Sequence, residues 1–352
     1  MTDVSFIITA YNVENYIAVA VQSAWDTARI LEDMSVEILV VDDGSNDATP
    51  DILNAIAKTS ESPVPLYLHR FSENTPGGVA TPSNFGLDHA VGDLVVFIDG
   101  DDWVLPEPTA NAIRVLRDSG DDMLVTDSAE YWNDTGLYTT WPEADWWEAL
   151  EASPDENARR AAVLHMAPFP WRKIYRRAFL DTAAIRFPEG DFFFEDNPFH
   201  WEAVIKAQRW GWLRQITHIH RRARPGQSLE RSESGYLRIF DHFDTIQALL
   251  VATRTEPRHR PDLLDWLMHH IVWVAGRLAP KDWPALFQMV CDRLAALPRD
   301  QLWEALYRAN AAGRIGPADQ RLIHAALQGD WRSFLGQYNP TRSGDPRSQD
   351  RG

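Results

Sequence analysis

The chain of 352 residues contains a single cysteine, Cys291. One thiol cannot close an internal disulfide, so a disulfide-stapled secreted framework is excluded and a reducing, cytoplasmic setting is expected. Long apolar runs are missing too. The most apolar stretch, residues 263–279, is broken by Asp265, His269, His270 and Arg277. A span needs about 18 uninterrupted apolar residues, so no integral membrane protein is expected. No basic segment with an apolar stretch and cleavage site opens the chain, and no signal peptide is expected. Positive charge is in deficit, with 34 Lys and Arg against 51 Asp and Glu and a net charge of -17. That balance argues against a nucleic-acid partner and against electrostatic attachment to anionic lipid. No Gly-x-Gly-x-x-Gly follows a strand-like run, which disfavours a dehydrogenase. No internal repeat is visible.

What is present is an ordinary globular composition, 45% hydrophobic and 24% charged, with a length that suggests about two domains. Strand-like and helix-like segments alternate through the first half. Strands are expected at 4–9, 36–41, 64–68, 94–98 and 123–126. Helices are expected at 13–31 with Asn12 as cap, from Thr49 and Pro50 onward, around Asn84, and at 106–117. Such alternation predicts right-handed βαβ units and an α/β fold with a mostly parallel sheet flanked by helices. From about residue 235 the pattern turns helical, over 237–250, 261–278, 283–297, 301–309 and 317–335, punctuated by Pro261, Pro284, Pro298 and Pro317. A small all-helical domain is expected there, over 226–338. Residues 339–352, rich in small and polar types, read as a disordered tail.

Functional groups gather at strand ends. The run Leu94 to Ile98 ends in Asp99-Gly100-Asp101-Asp102, three carboxylates within four positions. Ligands of open α/β sheets bind at the carboxyl ends of the strands. Crowded carboxylates repel one another unless a cation lies between them, and Mg²⁺ or Mn²⁺ favours such oxygen ligands. Thr9-Ala10-Tyr11-Asn12 and Asp42-Asp43-Gly44 end two other strands, so several polar strand ends face one crevice.

These residues, Val4-Ser5-Phe6-Ile7-Ile8-Thr9-Ala10-Tyr11-Asn12, Val41-Asp42-Asp43-Gly44-Ser45 and Phe97-Ile98-Asp99-Gly100-Asp101-Asp102, with the later Glu195-Asp196, resemble family 2 glycosyltransferases of the GT-A fold. The likeness covers about residues 1–225, with a donor half near 1–127 and an acceptor half near 128–225. It implies transfer of a sugar from a nucleotide diphosphate, a UDP-sugar above all, to an acceptor hydroxyl with inversion, using Mn²⁺ or Mg²⁺. Ala10 and Tyr11 would then lie against the base, Thr9 would help bind the donor, and Asp42 or Asp43 would contact base or ribose. Asp99 would serve nucleotide and metal, Gly100 would line the donor, and Asp101 would be the direct metal ligand. Asp196 would be the general base, with Glu195 and Asp191 as runners-up; Asp196 also reads as an N-cap for a helix at Asn197-Pro198. Two departures from the family pattern touch the donor side: Ala10 stands where Pro is usual, and Pro82-Ser83-Asn84 lacks the usual arginine.

Transfer chemistry needs cations at the leaving diphosphate, for which Lys173, Arg222 and Arg224 are the candidates. It also needs a carboxylate at the acceptor hydroxyl. Asn84 is a candidate support for the donor loop. Trp141, Trp171 and Glu195 are candidates for the acceptor, expected to be a saccharide or lipid-linked saccharide in polysaccharide or glycoconjugate synthesis. His218, His220, His269 and His270 form no metal set and read as ordinary structural or surface residues. Three roles stand open for the helical region: binding acceptor, forming a homo-oligomer, or docking at the inner face of a membrane. The rival reading is a catalytically inactive nucleotide-sugar-binding scaffold that uses the helical region for interaction.

Overall fold

The computed structural model describes residues 2–59, 64–190, 193–224 and 234–337. The chain divides into two compact units, Met1–Ser228 and Leu229–Gly352. In the first unit the order is β1 (Val4–Ala10), α1 (Ile17–Ile30), β2 (Val36–Asp42), α2 (Thr49–Lys58), β3 (Leu66–Arg70), α3 (Ala80–His89) and β4 (Leu94–Asp99). Every residue of β1 and β2 is buried, as their unbroken apolar runs require for strands covered on both faces. β3 lies at the sheet edge and is largely exposed.

β3, β2, β1 and β4 lie side by side and parallel, and their register fixes the site. Thr9 pairs with Asp99, and Ala10 with Asp42, so the polar strand ends fall in one row. Beneath that row Phe6, Ile8, Val40, Val96 and Ile98 pack with Val21 and Ala24 of α1. Burial of this apolar surface, at roughly 25 cal/mol per Å², holds the strand ends in line.

Beyond β4 the sheet is mixed. There follow β5 (Trp103–Val104), α4 (Pro106–Ser119), β6 (Met123–Trp132), β7 (Leu137–Thr140), α5 (Ala144–Ala152) and α6 (Glu156–His165). Next come β8 (Lys173–Arg176), α7 (Arg177–Thr182), α8 (Asp196–Lys206) and β9 (Trp210–Arg222). The sheet order is β3-β2-β1-β4-β8-β6-β9-β5, with β7 on β6. β8 enters antiparallel between β4 and β6. This insertion brings the segment leading to α8 alongside β4, the acid-tipped strand.

Local expectations shift in two places in this unit. Asn12 does not cap α1: Tyr16 holds the N-cap position, and Asn12, at φ +51°, accepts the Asn46 amide at 2.9 Å. Thr49 begins α2 rather than preceding it, and its hydroxyl accepts the Val13 amide at 2.9 Å. Both side chains tie the β1–α1 loop to the β2–α2 loop instead of serving their own helices.

The second unit is helical: α9 (Ile239–Ala252), α10 (Glu256–Ala275), α11 (Trp283–Ala295), α12 (Arg299–Ala311), α13 (Pro317–Gln328) and α14 (Trp331–Leu335). Phe240, Phe243, Leu267, Met268, Leu286 and Ile323 are all fully buried. Pro261 lies inside α10 instead of opening it. The helix starts a turn earlier, at Glu256, and Pro261 removes only one helical hydrogen bond near the N-terminus. The expected helix over 317–335 is two helices. Gly329 ends the first at φ +65°, and Asp330 caps the second by accepting the Ser333 amide at 3.1 Å. Among the described residues no helix is long and apolar enough to cross a membrane. The expected tail lies outside the described residues.

Candidate active site

A small pocket opens where the ends of β1 and β4 meet the start of α8. Thr9, Val79, Asp99, Pro170, Trp171 and Asp196 line it. The structure therefore brings together a β1 end, the acid-tipped strand and the Glu195-Asp196 pair. The turn after β4 depends on Gly100. Its amide donates to the Thr9 carbonyl at 2.8 Å, and a Cβ there would lie 2.8 Å from that same oxygen. Only glycine lets the ends of β1 and β4 approach so closely.

The three acids of this turn have different surroundings. Asp99 is half-buried, with the Thr9 hydroxyl at 3.5 Å. Burial, then the charges of Asp102 and Asp101, push its carboxyl well above the ordinary range. Asp101 pairs with the Arg224 guanidinium; burial and Asp102 still raise it despite that cation. Asp102 is fully buried and accepts from His218 Nε2 at 3.2 Å, His220 Nδ1 at 2.9 Å and the Arg221 amide at 2.7 Å. Burial alone would raise Asp102, but the two histidines outweigh it and hold the carboxyl below its usual range.

His218 and His220 therefore belong to the framework of the site, which the sequence reading missed. Their alternation, with one residue between on a strand, was the available signal. Trp171 stacks on His218 at 4.2 Å between ring centres and on Phe169 at 4.6 Å, and Trp141 leans on Phe169 at 5.0 Å. Of the two tryptophans, Trp171 reaches the pocket, and Trp141 backs the ring stack.

The cations are distributed otherwise than expected. Arg222 pairs with Glu130 at 3.2 Å and lies over the Trp132 ring at 5.5 Å. Arg221 takes the place beside the acids: its Nε donates to the Asp101 carbonyl at 2.8 Å. Its guanidinium lies over Tyr16 at 4.6 Å and Trp103 at 4.8 Å. Lys173 is buried, its Nζ donating to the Phe169 carbonyl at 2.9 Å, and burial, then Arg172, holds it well below the usual lysine range.

On the nucleotide side, Ala10 is buried and Tyr11 half-buried at the end of β1. Asp42 accepts the Ser45 amide at 3.0 Å and faces Arg70 at 3.3 Å. Asp43 accepts from Asn74 at 2.7 Å and from the Thr75 amide at 3.0 Å. Asn84 clamps the Phe187 backbone, donating to the carbonyl and accepting the amide, both at 2.9 Å.

Asp196 is the first residue of α8, one position inside the cap it was expected to form. Burial, then Glu195, push its carboxyl well above the ordinary range, against the opposing charges of Lys173 and His220. Glu195 is buried and accepts the amide of Val79, a lining residue, at 2.9 Å; burial lifts it to about 7. Asp191 lies outside the described residues.

Among the described residues no group of three His, Cys, Asp or Glu is set to hold a metal by itself. Asp99 and Asp101 offer two carboxylates, the number Mg²⁺ uses when substrate phosphates and waters supply the other ligands. The donor set fits an ion shared with a diphosphate.

The fold has close counterparts. TarS of S. aureus, residues 1–349 in complex with UDP-GlcNAc, matches with a TM-score of 0.72 at 21% identity, over 98% of this chain and 93% of that one. The mannosyltransferase PcManGT from Pyrobaculum calidifontis, in complex with GDP-Man and Mn2+, matches at 0.51 and 20% identity, over 96% and 88%. A putative glycosyltransferase, EpsH of Bacillus subtilis, is 30% identical over 186 residues, covering 53% of this chain and 50% of that protein. The chain spans about half the length of the curated relatives it matches. Residues 5–182 match the model described as glycosyl transferase family 2, and with half of its residues inside that match the chain belongs to this family.

Proposed function

We propose that the protein transfers a sugar from a UDP-sugar to an acceptor hydroxyl, with inversion at the anomeric carbon and with Mn²⁺ or Mg²⁺. The acceptor is a saccharide or lipid-linked saccharide in polysaccharide or glycoconjugate synthesis. The observation that carries this reading is the convergence of Thr9, Asp99 and Asp196 on one pocket. UDP-GlcNAc bound to TarS supports the choice of nucleotide, and Mn2+ in the mannosyltransferase supports the choice of ion.

In this reading Tyr11, Asp42 and Asp43 bind the nucleoside, and Asp99 and Asp101 face the diphosphate. A divalent ion held there supplies Lewis-acid neutralisation of the leaving group. Arg224 moves from Asp101 toward the diphosphate, with Arg221 fixing the turn beneath. Asp196 takes the proton from the acceptor hydroxyl. A carboxyl raised by burial is a better proton acceptor than an ordinary one, since basicity follows pKa. Its place in the lining of the same pocket as Asp99 lets it act on an acceptor bound beside the donor.

The test is a panel of nucleotide sugars with and without Mn²⁺, read by thermal shift and then by turnover. Asp196→Asn is expected to keep UDP binding and lose transfer by about 10²- to 10⁴-fold, the usual worth of a positioned base. Equal loss of binding and transfer would remove Asp196 from the base role, and a panel without any metal-dependent turnover would remove the reading itself.

A further inference from the structure

We propose that Glu195 is a positioning residue whose carboxylate latches the Gly77-Gly78-Val79 turn onto the start of α8, holding the donor-side loop and Asp196 as one piece. The inference rests on the sugar-transfer reading for its meaning, though the latch itself is a matter of geometry.

Three observations carry it. The Glu195 carboxylate is buried, and its Oε1 accepts the Val79 amide at 2.9 Å across 116 residues of sequence. The turn is built to admit that oxygen. Gly77 and Gly78 have φ of +88° and +80°, and a Cβ on Gly78 would lie 2.5 Å from Glu195 Oε1. Any side chain there would be strained by the backbone and would also push the carboxylate out. Finally, the bond lies at the pocket. Val79 is both a lining residue and the N-cap of α3, and Asp196, the neighbour of Glu195, lines the same pocket.

The bond therefore joins the Gly-Gly turn to the start of α8, and each contributes a lining residue. The carboxylate also sits at the N-terminus of α3, where an anion meets unpaired amides and the positive end of the helix dipole. Asn84, further along α3, makes a second tie to the segment before α8 through Phe187. With α3 gripping that segment at two points, motion of the Gly-Gly turn is transmitted to Asp196. A base role for Glu195 fits poorly, because one of its oxygens is already committed and it does not line the pocket.

The full chain is compared as wild type, Glu195→Ala, Glu195→Gln and Gly78→Ala. Hydrogen exchange is followed at the 77–80 amides, and kcat, donor KM and acceptor KM are measured with the best nucleotide sugar of the panel. The latch predicts that Glu195→Ala speeds exchange at Val79, raises donor KM and lowers kcat/KM by roughly 10- to 100-fold, the range for losing a hydrogen bond to a charged group. Glu195→Gln, whose amide oxygen can accept the same N–H, should recover most of that loss and of the protection. Gly78→Ala should resemble Glu195→Ala. The proposal is overturned if the glutamine variant is as impaired as alanine while Val79 stays protected, which would make the carboxylate chemical. It is equally overturned if alanine leaves exchange unchanged. Should the wild type transfer no sugar, the function fails and exchange alone still decides the latch.

Discussion

Replacing Asp102 and replacing Asp99 should have opposite effects, although they are neighbours in one acidic turn. Asp102 is fully buried and takes three donors, the Arg221 amide and the rings of His218 and His220. Hydrogen bonds to a charged group contribute about 1.5–3 kcal/mol each, and breaking a buried charged cluster costs about 3–5 kcal/mol in all. In Asp102→Asn the amide oxygen can keep the Arg221 amide, but the new N–H₂ confronts the imidazoles. A loss of about 2–3 kcal/mol follows, or roughly 5–10 °C in Tm for a unit of this size. Asp99 is the reverse. Burial and its two acidic neighbours oppose its ionisation, and among the described residues it makes no ion pair. Asp99→Asn should therefore leave Tm unchanged or raised, while metal-dependent binding of UDP weakens. Thermal unfolding by circular dichroism and calorimetric titration of UDP with and without Mn²⁺ measure both sides. If Asp102→Asn keeps its Tm within about 1 °C and loses metal-dependent binding, Asp102 is a ligand and the division of roles is wrong.

Gly100→Ala should weaken UDP binding by about tenfold or more and cost about 1–3 kcal/mol, because its Cβ would press on the Thr9 carbonyl and part the strand ends; near-wild-type binding by calorimetry would show that the ends can separate freely. Glu195, lifted to about 7 in the fold from an ordinary value of 4.5, binds its proton more tightly folded than unfolded. Stability should therefore fall as pH rises from 4.5 through 7, by up to about 3 kcal/mol, and Glu195→Gln should flatten that slope; Tm against pH for both proteins checks it, and parallel curves would refute it. In the helical unit, Asp265 accepts from Arg308 at 3.2 Å and Arg314 at 3.0 Å. Since both arginines are about a third exposed, Asp265→Asn should cost only about 1–2 kcal/mol, measured by urea unfolding, and leave UDP binding untouched.

The site was legible in the sequence wherever one strand carried its own signal. Apolar runs such as Leu94 to Ile98 announce strands buried on both faces, and the polar residues that end them fall in one row because parallel pairing aligns strand ends. Contacts made across the chain were not legible. Nothing local to residues 173–176 says that β8 runs antiparallel between β4 and β6. Arg221 and Arg222 are indistinguishable by composition. Only the pairing of β9 with β6 decides that Arg222 meets Glu130 while Arg221 stays by the acids. His218 and His220 looked idle for the same reason, their carboxylate partner lying more than a hundred residues away. Glu195 was assigned by its place beside Asp196, yet consecutive residues at a helix start point in different directions.

The arrangement of partners separates the acids that shape the site from those left for a ligand. Asp102 is satisfied by histidines and an amide and Glu195 accepts the Val79 amide, while Asp101 is paired with Arg224, the cation that on the proposed reading leaves it for the diphosphate. Asp99 and Asp196, the two that line the pocket, make no ion pair among the described residues, and burial holds both above the usual carboxylate range. A half-buried carboxylate without a paired cation is held in a state of raised free energy, which a bound partner can relieve. On the proposed reading the two are relieved by different things, Asp99 by a cation arriving with the diphosphate and Asp196 by the acceptor's proton. The order of events follows: the cation and diphosphate settle against Asp99 first, and Asp196 meets the acceptor hydroxyl once the donor is in place.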